Sequence, residues 1–373
     1  MHTDRREFLR YASAAGALLA LPGTSALGQT KTDAPRKLNL LVLGGTGLIG
    51  PALVEYAKSR GHTVTLFNRG KTNPQLFPEL EKLRGDRDPN KGEGIKALEG
   101  RKFDAVFDDT GYYPRHVKAS AELLAPNVGH YVFISSISVY ARNDIEGMDE
   151  TAEVGTMPDP TLEEMGKSYE YYGPLKALCE QAAEAAMPGK CCVIRPGYIV
   201  GPGDTSRRFA YWPMRADKGG EFVVPGAPTD PLQVIDVRDL SEWMVHVAEN
   251  KLTGRFNACG PEKKLEWGAV IEACVKNGSK PSTPRWASLE QLEKLPQARF
   301  QIWAPYAGET KGFHMVSNAA AVKNGLRFRS IDAIVKDTLA WCKTLTPEQQ
   351  TAILASMPEK LEQQLLEALA KKD

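Results

Sequence analysis

The chain has 373 residues, and its 47 basic and 46 acidic side chains almost cancel. Bulk electrostatics would therefore draw it neither to nucleic acid nor to an anionic membrane surface. Its six cysteines (Cys179, Cys191, Cys192, Cys259, Cys274, Cys342) and scattered histidines have no metal-ligand spacing, so free core cysteines and no metal site are expected.

Residues 1–28 read as a processed leader. Arg5 and Arg6 precede Phe8 and Leu9, an apolar run extends from Tyr11 to Leu21, and Ala26-Leu27-Gly28 offers small residues for cleavage. This resembles a twin-arginine export signal, which implies the translocation machinery as a partner and a periplasmic or otherwise exported product. No stable membrane anchor is expected, because the run falls short of the roughly 20 residues a spanning helix needs and is broken by Gly16 and Pro22. The leader holds Arg5, Arg6 and Arg10 against Asp4 and Glu7, so the remaining chain is neutral.

The next segment is the most informative. Leu38–Leu43 is a continuous apolar run that empties into Gly44-Gly45-Thr46-Gly47-Leu48-Ile49-Gly50, the pattern of a buried parallel strand turning tightly into a helix. An amphipathic helix over Pro51–Arg60, the stop Gly61 and a strand over His62–Phe67 complete a β-α-β unit. Such a loop binds the pyrophosphate of a dinucleotide through the N–H groups and dipole of the helix start. Gly44, Thr46, Gly47, Leu48, Ile49 and Gly50 are the expected contacts. Gly44 allows the turn, Gly47 allows close approach of the phosphates, and Gly50 allows close packing of helix on strand.

Strand and helix then alternate. Strands are predicted over Phe103–Phe107, His130–Ser135 and Cys191–Arg195, with helices over Arg115–Leu124 and Lys167–Met187. This alternation requires an α/β fold with a doubly wound parallel sheet, Rossmann-like, over residues 36–200 with 229–262 returning to it. A smaller substrate domain is expected from 201–228 and 263–345, and a polar helical tail, broken at Pro358, from 346–373.

Tyr172 and Lys176 are four residues apart and so share one face of a helix. An ammonium beside a phenol would favour phenolate and make Tyr172 usable as a base near neutral pH, while the Ser136 hydroxyl could bond a substrate oxygen as it passes between alcohol and carbonyl.

Taken together, the glycine loop, Asp86, the serine-rich strand end Ser135–Tyr140, the pair Tyr172 and Lys176, and the stretch Arg195–Pro202 resemble the extended short-chain dehydrogenase/reductase superfamily, in its NAD-dependent epimerase/dehydratase branch. The resemblance covers about Leu38 to Trp341. It implies a hydride-transfer enzyme with Ser136, Tyr172 and Lys176 as its catalytic set, Tyr172 and Lys176 also meeting the cofactor and Lys176 holding the nicotinamide ribose. It further implies Asp86 against the adenine and Thr110 on the wall behind the cofactor. Ser138 supports Ser136, and Ser135 is a strand-end hydrogen bonder.

At the end of the second strand, NAD enzymes place an acid, but here Asn68 is followed by Arg69 and Lys71. A neutral amide and two cations suit a 2′-phosphate, so Asn68 and Arg69 favour NADP, with NAD left open. Two motifs depart from the family. Asp108-Asp109-Thr110-Gly111 replaces H-x-A-[AG], and Leu232–Val237 lacks the arginine with which nucleotide-sugar epimerases grip a diphosphate. A nucleotide-free sugar, polyol or related metabolite is therefore the expected substrate. Arg207, Arg208 and Arg215 could meet an anion, although the surface is the ordinary place for loop arginines.

Two alternatives stay open: an epimerase or dehydratase that retains its NAD(P) throughout the cycle, and an RNA-binding member of the fold. The stretch Thr65–Thr72 resembles the sub-branch of chloroplast stem-loop binding proteins, but the complete Ser-Tyr-Lys set and the neutral charge argue against nucleic acid as a partner. A homodimer is compatible with the sequence.

Overall fold

The computed structural model describes residues 36–294 and 300–371; residues 1–28, where an export signal is expected, lie outside them. The chain opens with β1 (Asn39–Leu43), α1 (Gly50–Ser59), β2 (Thr63–Asn68), β3 (Glu81–Arg84), β4 (Ala105–Asp108), α2 (Pro114–Leu124), β5 (Tyr131–Ile134), α3 (Tyr172–Ala186) and β6 (Cys191–Pro196). There follow β7 (Tyr198–Val200), α4 (Tyr211–Lys218), β8 (Gly220–Pro225), β9 (Pro231–Leu232), β10 (Val234–Asp236), α5 (Val237–Asn250) and β11 (Gly254–Ala258). Beyond it, besides two one-turn helices at Leu289–Glu293 and Ala319–Lys323, come β12 (Leu265–Glu266), α6 (Trp267–Asn277), β13 (Ser282–Ala287), α7 (Ile331–Cys342), α8 (Pro347–Leu354) and α9 (Glu359–Ala370).

Seven of these strands form one parallel sheet in the order β11-β6-β5-β4-β1-β2-β3. The apolar run of β1 is continuous because both faces are covered. Leu40 and Val42 pack with Leu53 and Val54 of α1 and Met244 of α5, whereas Leu41 and Leu43 pack with Val117 of α2 and Cys179 of α3. Each such side chain contributes roughly 1.5–3 kcal/mol when fully buried. Strand order reverses between β1 and β4, so a crevice opens at their carboxyl ends, the place where a doubly wound sheet binds its ligand.

A second core lies beyond β6. Trp212 of α4 meets Trp267 of α6 edge to face, with ring centroids 4.8 Å apart. Both indole N–H groups are satisfied, Trp212 donating to the Gln301 carbonyl at 3.0 Å and Trp267 to that of Pro225 at 3.2 Å. Strands β8 and β13 pair beside them. Helices α8 and α9 of the C-terminal stretch join this core through Ile353, Leu365 and Leu369. The buried carboxylate of Glu362 on α9 pairs with Arg215 on α4 at 2.9 Å. All six cysteines are buried and free. No helix among the described residues is long and apolar enough to cross a membrane.

Candidate active site

The crevice at β1 and β4 is built first from the glycine loop. Gly44 (φ +127°) and Gly45 (φ +83°) both turn through backbone conformations that L side chains rarely adopt. The close approach at Gly50 is to the loop itself and not to β1, since a β-carbon there would lie 2.3 Å from the Gly45 carbonyl carbon. Gly47 is different: a β-carbon would meet no protein atom within 4 Å. The fold itself therefore does not require glycine at 47, which is the behaviour expected of a loop that faces a ligand. Helix α1 starts after buried Ile49 with no side-chain cap, leaving the N–H groups of its first turn for an anion. Thr46 is buried and its carbonyl accepts from Asn73 at 3.0 Å, while Leu48 is half-buried. The arrangement fits a dinucleotide pyrophosphate.

Asn68 at the end of β2 is part of the loop's framework. Its Nδ2 donates to the Gly44 carbonyl at 2.9 Å, and its Oδ1 accepts from the Gly70 N–H at 3.0 Å and from Arg84 Nη1 at 2.5 Å. Arg69 is exposed. Arg84 escapes sequence reasoning because only the parallel register Asn68↔Arg84 between β2 and β3 brings it to this corner. Asp86 caps a turn, its Oδ1 accepting the Asp88 N–H at 2.9 Å.

The wall departs from the family's small residues in a structured way. Arg87 donates to both oxygens of Asp108, at 2.5 and 2.8 Å, and Tyr131 donates to the same carboxylate at 2.7 Å. Burial pushes Asp108 upward, but Arg87 outweighs it and holds the carboxyl below its ordinary range. Thr110 donates to the Leu43 carbonyl at 2.9 Å and accepts from Arg87 at 3.1 Å, tying β4 to β1.

Ser136 follows β5 in extended conformation and caps the short turn Ile137–Val139, its Oγ accepting the Ser138 N–H at 3.1 Å and donating to the Ser138 hydroxyl at 3.1 Å. The same hydroxyl bears on the Tyr172 phenol and favours its ionised form. Helix α3 starts at Tyr172, five residues later than the sequence reading placed it. Pro174 explains the shift. It lacks an N–H and would clash with a preceding helical turn, so it is tolerated here only in the first turn.

Lys176 corrects a second expectation. Its ammonium donates to the Gly111 carbonyl at 2.7 Å and the Ile134 carbonyl at 2.6 Å, and lies 4.3 Å from the Phe133 ring centre. It ties the ends of β4 and β5 together and does not bring the phenol down. Burial, reinforced by Tyr112, raises the Tyr172 phenol above its ordinary value, against the nearby Ser136 hydroxyl and the Arg208 charge. At neutral pH the Tyr172 phenol therefore keeps its proton. Behind it, Ser135 donates to Glu180 at 2.5 Å, and Glu180 pairs with fully buried Arg195 through two bonds of 2.9 and 2.7 Å.

The loop arginines are not all at the surface. Arg208 is buried, donates to Ser206 at 3.1 Å, lies 4.8 Å from the Tyr198 ring centre and bears on the Tyr172 phenol. Arg215 is consumed by Glu362 and the carbonyls of Gly219 and Glu221, at 3.0 and 2.5 Å. Arg207 is half-buried, with φ +57°. Leu232, where sugar-nucleotide epimerases carry arginine, is buried in β9. Its neighbour Gln233 donates its N–H to His314 Nδ1 at 3.1 Å, while Nε2 of that histidine faces the Ile302 carbonyl at 3.0 Å. Those partners require the neutral ring, and burial holds the His314 pKa down to about 4.

The model of the NAD dependent epimerase/dehydratase family matches residues 40–259, from β1 through β11. The chain belongs to that family. Among curated relatives, the chloroplast stem-loop binding protein of 41 kDa b from Arabidopsis thaliana is 29% identical over 270 residues, 68% of this chain and 67% of its own. The 2-alkyl-3-oxoalkanoate reductase of Stenotrophomonas maltophilia is 30% identical over 187 residues, 45% of this chain and 52% of its own. Solved structures share the fold. The Bordetella bronchiseptica enzyme WbmH, in complex with NAD+, superposes with a TM-score of 0.61 at 16% identity, over 82% of this chain and 99% of that one. UDP-glucuronic acid 4-epimerase from Bacillus cereus, in complex with NAD, gives 0.56 at 16%, over 82% and 98%.

Proposed function

We propose that this family member is an exported NAD(P)-dependent oxidoreductase or epimerase acting on a hydroxyl or carbonyl of a small sugar, polyol or related metabolite. The observation that carries the reading is the backbone contact of Gly173 with the Ser138 carbonyl, which sets the buried Tyr172 phenol beside the buried Ser136 hydroxyl in a sheet whose strand order reverses at the glycine loop. NAD(P), when bound, supplies or accepts the hydride. The glycine loop and the α1 N-terminus hold its pyrophosphate, and Asn68, Arg69 and Arg84 meet the adenosine ribose, the two cations favouring a 2′-phosphate. Lys176, fixed on two strand ends, presents its remaining N–H to the nicotinamide ribose.

In the reducing direction Ser136 donates to the substrate carbonyl and polarises it. Tyr172 gives its proton to that oxygen as hydride reaches the carbon, and oxidation runs the same transfers backwards. Arg208 places a positive charge beside the phenol and steadies the phenolate that forms.

Replacing Tyr172 with Phe keeps the ring and removes the proton. Turnover falls at least ~100-fold while NAD(P) affinity stays within a few-fold. Full activity in Tyr172→Phe would remove the assignment.

The stem-loop binding relative favours a second reading, nucleic-acid binding without turnover. A salt titration of an RNA stem-loop in a gel shift separates the two, because the neutral mature charge predicts little affinity at physiological salt.

A further inference from the structure

Strand β4 leads into two adjacent carboxylates with opposite surroundings. Asp108 is neutralised by Arg87 and Tyr131. Asp109 lies instead on the glycine loop. A β-carbon on Gly44 would be 1.9 Å from its Oδ1, so the carboxylate occupies the space that any side chain at 44 would need. Its buried Oδ1 has no hydrogen-bond partner.

The charged and titratable groups that bear on Asp109 come from every side. Asp108 precedes it, Arg87 reaches in from the loop after β3, Lys176 from α3, and Tyr112 stands three residues on. Neither cation pairs with it: Arg87 is bonded to Asp108 and Lys176 to two carbonyls. Burial, then the Asp108 charge, push Asp109 up to about 7, against the Gly45 N–H and the two cations.

We propose that Asp109 gates the dinucleotide site: ionised, it sets an unpaired negative charge against the glycine loop and repels the phosphates, and neutral, it lifts that repulsion and can itself donate to a phosphate oxygen. The inference rests on reading the glycine loop as the NAD(P) site.

The test titrates NADH, with NADPH in parallel, by fluorescence from about pH 6 to about pH 8 against the wild type and Asp109→Asn. NADH is the primary probe because its phosphates keep their charge across this window. Wild-type affinity should fall with rising pH, approaching tenfold per pH unit above the Asp109 transition, as one linked proton requires. Asp109→Asn should bind tighter than wild type at the alkaline end and lose the pH dependence. A second readout needs no cofactor. A carboxyl raised from 3.8 to about 7 contributes stability that is present below its ordinary pKa and lost as pH rises toward 7. The unfolding midpoint of the wild type should therefore decline across that window relative to Asp109→Asn. A pH-independent NADH affinity in the wild type, or weaker binding by the variant at the alkaline end, overturns the gate while leaving the cofactor reading intact. Failure of both proteins to bind either dinucleotide at any pH overturns both.

Discussion

Gly173 and Ser138 are in backbone contact: a β-carbon on Gly173 would lie 1.9 Å from the Ser138 carbonyl oxygen. This contact lets the first turn of α3 rest on the turn after β5, and so sets Tyr172 beside Ser136.

Gly173→Ala should therefore act on chemistry and stability together. Even a methyl group forces helix and turn apart, at about 1–3 kcal/mol, the usual cost of overpacking. Denaturant unfolding and turnover measured on the same preparation check this, and a variant with normal values for both would show that the contact yields freely.

Arg208 bears on the proton-transfer step through charge. It lowers the Tyr172 phenol against burial, so Arg208→Gln should raise that phenol further. In the oxidising direction, which needs phenolate, the rise of turnover with pH moves to higher pH. In the reducing direction, which needs the neutral phenol, the fall of turnover with pH moves the same way. Arg208→Lys should restore much of the wild-type profile. Paired pH-rate profiles for the three proteins read the shift.

Cofactor choice is expected to depend on two cations. Arg69→Ala and Arg84→Ala should each weaken NADP by about 1.5–3 kcal/mol, the range of a charge-assisted hydrogen bond, and leave NAD nearly unchanged. Asn68→Asp has a double effect: the carboxylate repels a 2′-phosphate, and the bond from Asn68 Nδ2 to the Gly44 carbonyl is lost. NAD affinity then gains less than an added ribose acceptor would give. Fluorescence titration of both dinucleotides against all three variants checks these expectations.

Glu362→Ala would leave Arg215 buried without its counter-ion. The loss should be about 3–5 kcal/mol, appearing as a lower thermal midpoint with the dinucleotide site still able to bind. Glu362→Gln, which keeps an acceptor, should cost less.

For export, Arg5→Lys with Arg6→Lys should trap the precursor in the cytoplasm, because the receptor reads the arginine pair itself. Cell fractionation gives the answer, and normal export of the double variant would point to the general secretory route.

Where the sequence was readable, the signal was local. The run from Leu38 into Gly44–Gly50 carries strand, turn and helix start within a few residues, and Tyr172 and Lys176 reveal their shared face by spacing alone. The parts that sequence reasoning missed depend on distant partners. Arg87 and Asp108 are far apart in the chain and meet only when β4 is in the sheet. Arg84 reaches Asn68 through strand register, and Glu362 buries Arg215 across most of the second core. Lys176 was expected to set the charge of Tyr172, but spacing cannot report that the carbonyls of Gly111 and Ile134 take the ammonium first. The early start assigned to α3 had a local signal against it, since Pro174 already limits how far a helix can extend upstream.

The place of Leu365 and Leu369 in the second core has a consequence for how the protein meets a protease. A cut between α8 and α9 that let α9 leave would not trim a spare segment. It would uncover the apolar side chains those leucines cover and strip Arg215 of Glu362. The nicked molecule would then have an open core, exposed to further cleavage and to quality control.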